Sequence, residues 1–202
     1  MYMKTVIAHD VGQRKDGYMS NIPITGEAAM SIRTIQQMLG DQLGSQLWVQ
    51  PQESLHVTLF DFIAPKVEYD TPHKKLFDAL AGDIDEVMSQ LAHEFKQFEL
   101  QLTLLKFSAG AIYLEGYDDG SIASIRKRFL ELFALDAKTK RPPQIIHSTI
   151  ARFTDSIDID NIQATVERQV DQIIIPVRSL RLVHEQRIPM LQYETLKEYL
   201  LQ

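Results

Sequence analysis

Residues 56–62 read His-Val-Thr-Leu-Phe-Asp-Phe, and residues 147–153 read His-Ser-Thr-Ile-Ala-Arg-Phe. Both fit one pattern, His-x-Thr-apolar-x-x-Phe. Each run is β-rich, and each is led by proline: Pro51 before the first, Pro142-Pro143 before the second. In a strand, side chains at i and i+2 share a face. His56 and Thr58 therefore point one way, as do His147 and Thr149, while Val57, Leu59, Ser148 and Ile150 point the other way. Each strand also follows a helix-period segment, so the two halves of the chain look alike. That likeness predicts an internal duplication, two lobes around a cleft. With the strands facing each other, two imidazoles and two hydroxyls converge on one point.

The flanking sequence alternates short apolar runs with helical periodicity. Met3 to Ala8 reads as a strand. Asp10 to Pro23, with Gly12, Gly17, Asn21 and Pro23, reads as a loop. Ile32, Ile35 and Leu39 keep helical spacing after Thr25 as N-cap. Leu55 to Ile63 is the first motif strand. A helical region follows from Thr71-Pro72 to about Phe95, with a break signalled at Gly82. Phe98, Leu100, Leu102 and Leu104 alternate with polar residues as a half-buried strand, and Ile112 to Tyr117 pairs with it across a turn at Ser108 to Gly110. Ile122, Ile125, Phe129 and Leu132 form an amphipathic helix. Ile145 to Phe153 is the second motif strand, and Ile159, Ile162 and Val166 mark a further helix. Ile173 to His184 reads as a strand. Leu191 to Leu200 does too, although Tyr193, Leu196 and Leu200 also suit a helix. Hairpins mixed with helices predict an α+β fold rather than a doubly wound parallel sheet. The expected architecture is one two-lobed domain over residues 1–202: two antiparallel-sheet lobes with outer helices and pseudo-twofold duplication around a central cleft.

Composition narrows the chemistry. The chain of 202 residues is 45% hydrophobic and 24% charged, as globular proteins are. It has no Cys, which excludes a thiolate nucleophile, a Cys-based zinc site and a disulfide framework. The first apolar run is too short for a signal peptide, and no stretch approaches a membrane span, so a cytoplasmic protein is expected. A formal charge of −6 argues against wholesale binding to a nucleic-acid backbone. A small nucleotide or a single RNA end remains within reach of a local cationic site.

The converging residues suit phosphodiester hydrolysis. A neutral His takes a proton from water, and a protonated His gives one to the leaving alkoxide. Imidazole, with an ordinary pKa of about 6.5, populates both forms near neutrality. The Thr hydroxyls donate to non-bridging oxygens as charge develops there. No metal or other cofactor is called for when two imidazoles share the proton work. The motifs are near-equivalent. Assigning His147 as base and His56 as acid is therefore a choice that the sequence does not decide.

With these motifs the chain resembles the two-histidine (2H) phosphoesterase superfamily, which includes RNA 2′,3′-cyclic phosphodiesterases and the proteins called 2′-5′ RNA ligases. Trp48 through Leu59 looks like that family's first motif region. Phe98 to Tyr117, the helix to Phe133, Pro142-Pro143 and residues 147–153 look like its second half. Ala64-Pro65 departs from the Gly-containing turn of many members and leaves the subfamily open. The resemblance implies a bilobal fold, no metal, and hydrolysis of a 2′,3′-cyclic phosphate on an RNA end or small nucleotide. Three alternatives use the same cleft: a 2′-5′ phosphodiesterase, a 3′-end RNA exonuclease, or a nucleotide-binding module without turnover. A metal hydrolase with His56 and His147 as ligands lacks a third ligand at motif spacing.

Secondary candidates follow from the same parity. Phe62 and Phe153 lie six residues after each His, on its face, and are placed to stack a base at the cleft edge or else to cap the lobe cores. Tyr18, in the expected early loop, is placed to cover the cleft. Asp61 and Arg152 have the opposite parity: Asp61 is expected to miss the cleft, and Arg152 to leave it for a salt bridge unless the strand bends. Arg126, Lys127 and Arg128 read as a solvated basic face. His9, His73, His93 and His184 match no metal spacing.

Overall fold

Strand hydrogen bonding sorts the chain into two antiparallel sheets that join hairpin neighbours to strands far apart in sequence. The computed structural model describes residues 4–202; in the last helix the side chains of residues 159, 161, 164 and 165 lie outside the description. The strands are β1 (Arg14–Pro23), β2 (Leu47–Val49), β3 (His56–Ile63), β4 (Phe98–Phe107), β5 (Ala111–Asp118), β6 (Ile146–Phe153), β7 (Arg168–Val177), β8 (Ser179–Arg187) and β9 (Gln192–Leu200). The helices are α1 (Gly26–Leu43), α2 (His73–Glu94), α3 (Ser121–Leu132) and α4 (Ile159–Val166). One sheet runs β3-β1-β8-β9, and the other runs β2-β6-β5-β4-β7. The α+β architecture with two antiparallel sheets is the one expected. The lobes are not the two halves of the sequence, however. The four-stranded sheet takes β1 and β3 from the start of the chain and β8 and β9 from its end.

Four expectations are corrected. Residues 14–23 form a strand, not a loop, and β1 is central, between β3 and β8. Its Gly17 marks a close approach rather than a turn, because a Cβ there would lie 2.8 Å from Pro65 Cδ. Before it, Met3 is outside the described residues, and Lys4 to Ala8 form no named strand. That segment makes a single bridge, Lys4 to Asp158, and backbone bonds to Ile157, Ala109 and Phe153. Helix α2 runs unbroken through Gly82 for 22 residues, its side buried at Ile84, Val87, Met88 and Leu91 outweighing one glycine. The apolar stretch from Ile173 to His184 is two strands, because the chain changes sheets at Arg178. Leu191 to Leu200 resolves as β9, paired with β8. Thr25 does hold the N-cap position of α1, but its side chain makes no capping bond.

Helix α1 covers the five-stranded sheet at β2, β6 and β7, while α2 covers β1, β3, β8 and β9 and touches α3. Among the described residues no helix is long and apolar enough to cross a membrane. Strands β3 and β6, one from each sheet, approach each other directly.

Arg126 joins the lobes. It projects from α3 into the core, only 6% exposed. Its Nε donates to Leu59 O (3.1 Å), Nη2 to Thr58 O (2.7 Å) and Nη1 to Ile145 O (3.1 Å). One guanidinium thus ties β3 to the entry of β6. Burial pushes its pKa down to about 10, opposed by the charge of Asp118. The expected solvated basic face holds for the exposed Lys127 and for Arg128, which pairs with Glu94 and Glu131. Arg126 fails it because the fork geometry of guanidinium meets three carbonyls at once.

Removing that fork orphans three carbonyls, while relieving the burial of one charge. Arg126→Met is expected to destabilise the protein by about 2–4 kcal/mol, given roughly 1.5–3 kcal/mol for each hydrogen bond to a charged group. Urea unfolding reads this as a lower midpoint at unchanged slope. An unfolding free energy within about 0.5 kcal/mol of wild type would show that the clamp adds nothing to the fold.

Candidate functional site

Each motif strand carries a β-bulge at the same place. Along β3, Thr58 pairs with Asn21 and Phe60 with Ser20, so Leu59 is the extra residue. Along β6, Thr149 pairs with Tyr113 and Ala151 with Ile112, so Ile150 is the extra residue. A bulge adds one residue and flips the parity of everything after it. Leu59 and Phe60 are both buried, as are Ile150 and Ala151. Asp61 and Arg152 consequently turn onto the cleft face, and Phe62 and Phe153 turn into the core.

One pocket of about 240 Å³ collects the result. Its lining includes His56, Thr58, His147 and Thr149, together with Asp61, Arg152, Glu185, Gln50, Asp10 and Lys66. The four motif residues of the two halves thus meet. The bulges correct the expectation for Asp61 and Arg152. Simple alternation hides both, and only the paired Leu-Phe and Ile-Ala steps hint at the extra residue.

The aromatic candidates are elsewhere. Phe62 is 2% exposed and packs edge-on against Phe60, Phe129 and Phe133 at 5.2–5.4 Å between centroids. Phe153 is fully buried. Neither offers a face to a base. Tyr18 stands on β1, not in a loop, and is sandwiched between Phe77 (3.9 Å) and His184 (4.5 Å). It covers no cleft.

The two histidines sit differently. His56 Nδ1 lies 2.8 Å from the Ser54 carbonyl, two residues back. In the neutral ring this makes Nδ1 the donor and leaves Nε2 as the free acceptor. Ser54 is itself held, its hydroxyl donating to Pro51 O (2.9 Å) and accepting from Gln50 Nε2 (2.6 Å). Gln36 Nε2 ties Gln50 O (2.8 Å) and the bulge carbonyl of Ile150 (2.9 Å) into the same buried network. The corresponding carbonyl beside His147 is Ile145 O, which Arg126 takes. His147 Nδ1 is buried and falls short of hydrogen-bond geometry with any described partner.

Electrostatics widen the difference. Protein packed around His56 pushes its pKa down to about 4; Ser54 O opposes this, while Arg181, His147 and Arg152 add to it. Burial also lowers His147, helped by Arg126 and opposed by Ile145 O and Glu115. Burial raises Asp61 to about 6 and Glu185 to about 7. Glu185 accepts the Met190 N–H, and Asp10 pairs with Lys66 at the rim. Arg152, its Nε buried without a partner, is a cation facing the pocket without an ion pair among the described residues. Among those residues no three His, Cys, Asp or Glu side chains converge as a metal site would require. The arrangement offers two proton-transfer groups, two hydroxyl donors and a cation around one small space.

The fold has many solved counterparts. A conserved protein of unknown function from Agrobacterium tumefaciens, ATU0111, superposes with a TM-score of 0.68 at 16% identity, over 96% of this chain and 91% of that one. TT0787 of Thermus thermophilus gives 0.64 at 16% identity, over 92% and 97%. Escherichia coli LigT, crystallised with 3′-AMP, gives 0.58 at 15% identity, over 94% and 99%. These likenesses are of fold. No curated protein matches the chain significantly in sequence. The profile of the 2′-5′ RNA ligase superfamily matches residues 25–188, which hold both motif strands and the Arg126 clamp. The chain belongs to that superfamily.

Proposed function

We propose that the pocket hydrolyses a 2′,3′-cyclic phosphate, on an RNA end or a small nucleotide, by paired histidine acid–base catalysis. The observation that carries this is the convergence of His56, Thr58, His147 and Thr149 on one pocket, with His56 Nδ1 held by Ser54 O. The superfamily is named for RNA, and LigT has been crystallised with both 3′-AMP and phosphate. Both point the reading to a nucleotide phosphate.

The proton order follows from the electrostatics. A pair sharing one proton holds it on the more basic member. His56 is lowered to about 4, and His147 is lowered with Glu115 and Ile145 O working against the shift. The shared proton therefore sits on His147. In this reading His56 Nε2 takes a proton from the attacking water, and the water oxygen bonds to phosphorus. The bond from phosphorus to one ribose oxygen breaks, and that oxygen receives the His147 proton. The product is a phosphomonoester. This reverses the roles assigned from the sequence. Thr58, Thr149 and Arg152 face the non-bridging oxygens, where charge grows.

His56→Ala and His147→Ala are each expected to lower kcat by at least about 10²-fold while remaining folded, the usual contribution of a positioned acid or base. Activity of wild type is expected to survive exhaustive chelation. A 2′,3′-cyclic nucleotide, a 2′-5′ dinucleotide and a 3′-hydroxyl RNA, assayed side by side, separate the cyclic phosphodiesterase from its siblings. Near wild-type turnover in either histidine variant would sink the mechanism, and loss of activity to EDTA would favour a metal site.

The pH profile carries a sign. The base must be neutral, so kcat/KM rises through a pKa of about 4. The acid must be protonated, so kcat/KM falls as pH passes the His147 value, which burial holds below the ordinary 6.5. The free-enzyme optimum is thus expected on the acid side of 6.5, with limbs belonging to the pair. A flat profile from about pH 4 to 8, or an optimum above 7, would overturn this assignment.

Threonine to valine keeps the branched shape and removes only the hydroxyl. Thr58→Val and Thr149→Val are expected to lower kcat more than they raise KM, by no more than about 2–4 kcal/mol of transition-state stabilisation. Unchanged kcat in both would leave the hydroxyls a role in the strands alone.

A further inference from the structure

The sheet register extends the catalytic row away from the pocket. Thr58 on β3 pairs with Asn21 on β1, and Asn21 pairs with Arg181 on β8. Residues directly opposite one another in antiparallel strands share a face. Arg181 therefore stands on the cleft face, two strands beyond Thr58. Its charge is one of those that lower the pKa of His56, which places it within electrostatic reach of the reacting group.

Arg181 is held in one orientation. Its Nε and Nη2 both donate to Asn21 Oδ1, at 3.1 and 3.0 Å. Its guanidinium carbon lies 5.9 Å from the centre of the Tyr193 ring. The Tyr193 hydroxyl donates to Glu53 O at 2.6 Å, and the ring packs on Met19, Val183 and Met190. Met19 and Met190 also line the catalytic pocket, so the Arg181 surface is continuous with it. Asn21 is fully buried and spends its acceptor on Arg181, while its Nδ2 has no partner.

What Arg181 lacks is an anion. It makes no ion pair among the described residues, and its Nη1 makes no hydrogen bond there. Its cross-strand neighbour Glu198 accepts the Ser179 hydroxyl instead. Burial lowers its pKa, with Tyr193 and Glu198 opposing. A partly buried guanidinium held by one neutral amide oxygen is under-satisfied, and its planar fork matches phosphate oxygens. Arg126 makes the contrast. It is equally unpaired with carboxylates, but three carbonyls satisfy it. The pocket itself, at about 240 Å³, falls below the roughly 300–1,000 Å³ of ligand pockets. It takes the reacting end of a nucleotide, and the rest must lie along the open face.

We propose that Arg181, oriented by Asn21 and Tyr193, binds a second phosphate on the 5′ side of the reacting ribose. The preferred substrate is then a cyclic phosphate carried by a 5′-phosphorylated nucleotide or an oligonucleotide, over one carried by a bare nucleoside. This rests on the hydrolase reading above.

The test compares three substrates: a nucleoside 2′,3′-cyclic phosphate, the same compound with a 5′-phosphate, and a dinucleotide ending in the cyclic phosphate. Wild type is expected to show kcat/KM about tenfold or more higher for the second or third than for the first, the value of one charge-assisted hydrogen bond. Arg181→Met is expected to bring that ratio close to one, and Arg181→Lys to restore part of it. A merely structural defect would lower all three rates and leave the ratio intact. Gain for the 5′-phosphate alone identifies a terminal phosphate as ligand, and gain for the dinucleotide identifies an internucleotide one; both support the subsite. A wild-type ratio near one, or an unchanged ratio in Arg181→Met, would overturn it. If none of the three turns over, the hydrolase reading fails by itself. Titration with a nucleoside 3′,5′-bisphosphate against the 3′-monophosphate then judges Arg181 by the same ratio.

Discussion

The Arg126 guanidinium ties the site together. Two sheets, drawn from interleaved parts of the chain, must present β3 and β6 to each other at a fixed separation. Apolar packing alone is non-directional and tolerates sliding. The three carbonyls of Thr58, Leu59 and Ile145 are a directional constraint, because a planar fork reaches them only at one spacing. The charge enters the interior without a carboxylate in contact. Its cost is offset by hydrogen bonds rather than by an ion pair. The Phe60–Phe129 stack, at 3.7 Å, packs beside the same helix and holds α3 in place on β3.

The same contact makes the surroundings of the two histidines unequal. Near-identical motifs give near-identical strands, and symmetric chemistry would follow if nothing else intervened. Ser54 O is free to accept from His56. Ile145 O, its counterpart, is taken by Arg126, and His147 Nδ1 goes without. Both differences lower His147, so the clamp works against the proposed proton order, which rests instead on the deeper burial of His56.

The bulges do comparable work on the pocket wall. An extra residue in the middle of each motif strand, Leu59 and Ile150, converts an alternating surface into one that shows three polar side chains in six positions: His56, Thr58 and Asp61 on one strand, His147, Thr149 and Arg152 on the other. The carbonyl of the extra residue Ile150 is satisfied by the Gln50 backbone and the Gln36 side chain, so the irregularity leaves no buried acceptor unpaired. Asp61 and Glu185, both raised by burial, and the cations Arg152 and Lys66 then set the charge of the pocket wall.

Much of this was legible in the sequence. The repeated His-x-Thr strands, the α+β class and the shared face of each His and its Thr follow from local periodicity, because side-chain alternation is a property of a strand by itself. Helices α1, α2 and α3 follow from apolar spacing for the same reason. What the sequence hid depends on contacts between distant residues. Residues 14–23 look like a loop, yet become a central strand because β3 and β8 satisfy them on both sides. Arg126 looks like a surface cation, yet lies buried because carbonyls 67 and 19 residues away converge on it. Phe62, Phe153, Asp61 and Arg152 changed sides because bulge positions are decided by the partner strand. The sequence by itself singled out the four residues to which the proposed chemistry is assigned. The tertiary structure decided which way they face and what surrounds them, since both depend on neighbours that the chain brings together only on folding.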